Sequence, residues 1–174
     1  MDDHYRQAGQ WLDREDSQCR EGRIERLAWL ASALPHGELL TFPGGWMAKH
    51  LFEETRHCFI YGQFLAAIVL GFAFVERTLA AIFYASGRGD LEKAPVSELF
   101  REAVRTGCLT ADEYAWLDRA RKLRNPVTHF RRPLYRDTVE NRSVTEGSLP
   151  YWILEEDARH VVLAAMRVVA KRAV

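Results

Sequence analysis

From Cys58 to Val75 the chain runs for 18 residues without a charge. A helix apolar on nearly every side must be covered on every side, by lipid or by protein. The run is barely long enough for a membrane span, and Gln63 lies inside it. It leads straight into Glu76-Arg77 and then a second apolar stretch, Thr78 to Ala85. A span would set that ion pair at the hydrocarbon boundary. The better reading is the central helix of a bundle, and no membrane partner is expected.

The totals agree with a bundle. A chain of 174 residues most economically forms one domain with a helical extension, and buries about 70% of its unfolded surface without disulfide or metal support. Lys plus Arg and Asp plus Glu are 24 each, so attraction to nucleic acid must come from a local patch. Cys19, Cys58 and Cys108 show no zinc or redox spacing, which fits reduced thiols in the cytoplasm. The acidic, polar start Met-Asp-Asp-His-Tyr is unlike a signal peptide. The six histidines form no metal-ligand spacing with Cys or Asp, so no metal and no cofactor is expected.

Helical signals dominate. A polar helix is expected over about 3–17, and a second over 22–35, where Ile24, Leu27, Ala28, Ala31 and Leu34 form an i, i+3, i+4, i+7 stripe. Pro35-His36-Gly37 should end it. Pro43-Gly44-Gly45 is the clearest break and divides an N-terminal helical extension (1–45) from the main bundle domain (46–174). Trp46 to about Ser86 then forms one or two long helices. Pro95 should open a short helix with Leu99, Phe100 and Val104 inward. Thr110-Ala-Asp-Glu113 is a capping box, so the next helix starts at 111 and should stop or kink at Asn125, before Pro126. The last helix is expected over about 155–172, with Glu155, Glu156 and Asp157 at its positive end and Arg167, Lys171 and Arg172 at its negative end. The polar stretch Pro133–Ile153 lacks helical periodicity and reads as a lid, a binding loop or a short hairpin.

Function concentrates between Arg119 and Arg136. Arg119, Arg121, Lys122, Arg124, Arg131, Arg132 and Arg136 follow one another with no acidic residue between. Arg124, Asn125 and His129 add a guanidinium, an amide and an imidazole, the groups that hold a phosphate and move a proton beside it. On an unbroken helix Arg124 and His129 are about 140° from sharing a face, whereas Asn125 and His129, four apart, share one. The same residues also have a structural reading: basic groups complement the helix end, and Asn125-Pro126 resembles an N-cap with a first-turn proline. The five tryptophans do not interleave with the basic window and read as core or interface anchors.

Arg124-Asn125-x-x-x-His129 resembles the Arg…His motif of the HEPN superfamily, including its frequent Asn after the Arg. The stretch Arg56 to Leu70, with Gly62 before Ala66-Ala67 and Glu76 beyond, is similar to the long core helix of a HEPN-like branch. The resemblance covers about 46–172. It implies an all-α, HEPN-like helical bundle that pairs as a homodimer and brings two motifs into one cleft. It also implies an endoribonuclease working without metal, as a toxin or host-defence effector, with RNA as substrate and an antitoxin or other protein as a further partner. On that pattern Arg124 binds the scissile phosphate, His129 moves the proton and Asn125 orients one of the reacting groups. Arg121, Lys122, Arg131 and Arg132 would hold substrate, and Glu76 would support the site by pairing with Arg124 or Arg77, or else stay at the surface. Pro126 inside the motif and the lack of a second acid depart from the pattern. Some HEPN-like domains only bind a nucleotide or a protein, which is the alternative function.

Overall fold

The computed structural model describes residues 3–33, 40–132 and 134–169. Among these the fold is all-α: α1 (Asp3–Ala33), α2 (Gly45–Ile60), α3 (Phe64–Ala85), α4 (Val96–Arg105), α5 (Ala111–Thr128), α6 (Val139–Glu146) and α7 (Pro150–Val169), with a 3-10 turn at Gly89–Leu91. The expected helix ends at Pro35-His36-Gly37 and at Lys171-Arg172 lie outside the described residues.

The uncharged run divides at Tyr61-Gly62-Gln63, where Gly62 takes φ +75, a conformation that favours glycine. Beyond this turn the long α3 supplies Phe64, Ile68, Phe72, Phe74, Val75, Leu79, Ile82 and Phe83 to the core. By length and composition α3 could cross a membrane. Here α2, α5 and α7 pack around it, as a central bundle helix requires. At Gly71 a Cβ would stand 3.0 Å from both Thr55 and Val161, so this glycine lets α2, α3 and α7 approach closely.

The capping box forms in both directions: Glu113 N–H donates to the Thr110 hydroxyl at 3.2 Å, and Thr110 N–H donates to Glu113 at 2.8 Å. α4 buries Leu99, Phe100 and Ala103, while Val104 is exposed; it lies one residue-step past the inner line. Trp29 and Trp116 pack on the core, but Trp11, Trp46 and Trp152 are exposed.

Besides α5, which runs past Asn125 to Thr128, three elements differ from expectation. The two N-terminal helices are one, α1 of 31 residues; at Gly22, within it, a Cβ would stand 3.2 Å from the Arg26 guanidinium. The buried line of α1 is Arg26 and Leu30, whereas Ile24 and Leu27 are about half exposed at 48% and 50%. Arg26 donates to the Ile60 carbonyl at 2.9 Å and to the Tyr151 hydroxyl at 3.3 Å, and it lies 3.7 Å from Glu155. Second, the 133–153 stretch contains a helix. Thr138 caps α6 by accepting from Asn141 N–H, and Gly147 at φ +65 closes it. This helix buries no residue of its own. Arg142 instead ties it to the buried Asp157 of α7 through bonds of 2.8 and 2.7 Å. Third, α7 starts at Pro150, so Glu155 and Asp157 are buried ion-pair partners in its second turn rather than exposed complements of its dipole.

Candidate functional site: a basic cleft at the end of α5

α5 does not stop at Asn125. It runs through Pro126 to Thr128, with His129 as C-cap in extended backbone. A proline three residues from a helix end removes one bond, to the Lys122 carbonyl, and the ladder resumes with His129 N–H donating to the Asn125 carbonyl at 3.0 Å. The faces therefore follow helical spacing.

Arg124 turns toward the core. It is half-buried, with its guanidinium carbon 5.3 Å from the centre of the Phe72 ring. Its Nε is buried without a hydrogen-bond partner, an arrangement that costs stability unless another interaction offsets it. Asn125, about 100° further round, faces a cleft of about 130 Å³ together with Lys122, Pro126, Arg131, Tyr135 and Asp137. His129 is exposed at the helix end and is not among the residues lining that cleft. Among the described residues no hydrogen bond joins the side chains of Arg124, Asn125 and His129.

The remaining expected residues fall into two groups. Lys122 and Arg121 both pair with Asp118 at 2.8 Å. Burial raises the Asp118 pKa, but the two cations outweigh it and hold the carboxyl below its ordinary range. Arg131 and Arg132 are exposed on the segment beyond the helix. Glu76 lies elsewhere, half-buried on α3 in a groove of about 810 Å³ with Arg77, Tyr84 and Lys93. Neither expected pair forms: Arg77 donates to the Gly44 carbonyl at 3.2 Å, and Arg124 lies over Phe72. The structure thus gathers Asn125, Lys122 and Arg131, sets Arg124 and His129 to either side, and leaves Glu76 apart.

Sequence reasoning misses Tyr135 and Asp137. A phenol and a carboxylate directly after the arginine cluster are a signal, but only the turn of the chain before α6 brings them back beside Asn125. Among the described residues no three His, Cys, Asp or Glu side chains gather as a metal-ligand group. Comparison with family models, curated proteins and solved structures gives no significant match.

Proposed function

We propose that this chain is a homodimeric endoribonuclease of the HEPN kind, acting in the cytoplasm through Arg124, Asn125 and His129. What supports the reading is the position of the motif: it ends a helix, it borders a cleft edged by Lys122 and Arg131, and it lies in an all-α bundle whose long final helix comes after it. Among the described residues the terminal nitrogens of Arg124 carry no hydrogen bond, leaving them available to a phosphate oxygen. His129, exposed at the helix end, takes the proton of a ribose 2′-hydroxyl as that oxygen attacks phosphorus. The bond to the 5′ oxygen breaks, that oxygen gains a proton, and a 2′,3′-cyclic phosphate remains. Arg124 stabilises the charge that builds on phosphorus, and Asn125 orients the phosphate or the attacking hydroxyl. A toxin or host-defence role, with a protein antitoxin, is implied by the same resemblance.

Labelled single-stranded and structured RNA, incubated with the purified chain in EDTA beside His129→Ala, tests this. The native chain should cut and leave cyclic phosphate ends. His129→Ala should cut slower by about 10²-fold or more, with unchanged melting and mass. Equal cutting by both proteins would remove His129 from the chemistry.

One observation favours a second reading. The cleft of about 130 Å³ holds Lys122, Asn125, Arg131 and Tyr135 but not His129, which suits binding of a phosphate or nucleotide without turnover. A rise in melting temperature with nucleotide, and no cutting, would select it.

A further inference from the structure

Ahead of α6 the chain turns back onto the end of α5, and the backbone of this turn is pinned. Tyr135 N–H donates to the Arg132 carbonyl at 3.0 Å, and the Tyr135 carbonyl accepts from both the N–H and the hydroxyl of the buried Thr138 at 2.9 Å. The Asn141 side-chain amide donates to the Arg136 carbonyl at 3.2 Å. Leu134, directly before Tyr135, takes φ +64, a left-handed conformation that is an outlier for a bulky residue. Its own side chain is 60% exposed, so packing of Leu134 does not account for the strain. What the turn achieves is to set Tyr135 and Asp137 on the wall of the cleft that holds Lys122, Asn125 and Arg131. The two side chains remain unspent. Among the described residues neither the Tyr135 hydroxyl nor the Asp137 carboxylate makes a hydrogen bond, and Asp137 has only the exposed Arg136 at 3.7 Å, a surface pair of little energy.

We infer that this cleft selects a guanine base: Tyr135 stacks on the ring, Asp137 accepts from its N1–H and its 2-amino group, and Arg131 and Lys122 hold the attached phosphate. Guanine selection rests on the proposed role of this cleft in holding RNA or a nucleotide, and adds which base it takes. A carboxylate only accepts hydrogen bonds, so the edge that suits it best carries two adjacent donors. Among the four RNA bases only guanine has such an edge. Adenine and cytosine set an acceptor nitrogen beside their amine, and uracil sets its single N–H between two carbonyls. Asp137 repels a bare phosphate, while Lys122 and Arg131 repel a Lys or Arg side chain of a protein. A neutral base with donors at one end and a phosphate at the other meets both conditions. Every base has a face for Tyr135 to stack on, so the tyrosine supplies affinity and the carboxylate supplies the choice.

Calorimetric titration of the full chain with GMP, AMP, CMP and UMP tests this without any need for cutting. GMP should bind about tenfold more tightly than each of the other three, or better. Asp137→Asn replaces one acceptor oxygen with a donor, which mismatches guanine and matches the donor–acceptor edge of adenine. The variant should lose the GMP preference and take AMP as its better ligand, and it should melt like the native chain because Asp137 is exposed. Tyr135→Ala should weaken all four nucleotides by about fivefold or more and leave the GMP-to-AMP ratio unchanged. Equal binding of the four, no binding of GMP, or a GMP preference that survives Asp137→Asn would overturn guanine selection. The ribonuclease reading fails separately. A GMP preference without RNA cutting would remove the catalysis and leave guanine selection standing, whereas cutting by a chain that binds all four alike would do the reverse.

Discussion

At Gly71 the helix spacing is set by the absence of a side chain. Thr55 and Val161, the two neighbours a Cβ would meet, are 1% and 0% exposed and β-branched, so they yield little. Gly71→Leu should therefore lower unfolding free energy by about 2 kcal/mol or more, measurable by urea titration; an unchanged midpoint would mean that α2 and α7 can part freely. Arg142 illustrates the opposite case, a charge that only its partner makes tolerable. Asp157 is 4% exposed, and burial lifts its pKa above the ordinary range despite Arg142. Arg142→Ala should cost about 3–5 kcal/mol by leaving that carboxyl without its guanidinium. The double change Arg142→Leu, Asp157→Leu should recover much of the loss. Neither residue stands out in the sequence, because a pair separated by 15 positions leaves no local pattern. At the candidate site the residue types are legible in the sequence but their directions are not: Arg124 meets Phe72 across a gap in sequence that no periodicity spans.

Among the elements, α5 and α7 are joined by a stack. The His160 ring lies parallel to Trp116 at 4.2 Å, Arg167 covers Trp116 at 4.2 Å, and His160 Nε2 donates to the Trp116 carbonyl at 2.9 Å. Burial pulls the His160 pKa below its ordinary 6.5, against the pull of that hydrogen bond, and Arg119 and Arg167 add to the lowering. A histidine kept neutral by folding stabilises the native state above its unfolded pKa. That stability is lost as pH falls below about 6.5 toward the folded value. The denaturation midpoint should thus drop from pH 7 to pH 5 more in the native chain than in His160→Gln; parallel curves would mean that His160 does not titrate on unfolding. The start of α5 is readable because a capping box is local, four residues long. Thr110→Ala should cost about 1 kcal/mol, seen as a lower melting temperature. α6 escapes the same reading because an ion pair, not an apolar stripe, holds it in place. Pro150 at the first position of α7 is a start signal, masked by the run of acids five residues on, which looks equally like a first turn.

Over the whole molecule the formal charge is zero, so the proposed RNA binding rests on the α5 end alone. Arg131→Ala, Arg132→Ala should weaken RNA binding in filter or anisotropy assays and flatten its dependence on salt, by about 0.7 of a unit in the log–log slope per phosphate no longer neutralised. An unchanged slope would place RNA elsewhere. The sequence by itself determined the all-α class, a buried central helix though not its start at Phe64, the break at Pro43-Gly44-Gly45 and the capped start of α5. These arise from hydrophobic runs and from signals within one or two turns. The tertiary structure alone decided that α1 is one helix bound through Arg26 to Tyr151, 125 positions away. It also decided that Glu155 and Asp157 are buried partners, and that Arg124 and Asn125 face different neighbours. The physical reason is common to all three. An ion pair or a packed ring derives its energy from groups brought together only after the helices have docked, and until then the chain carries no trace of which charge will meet which.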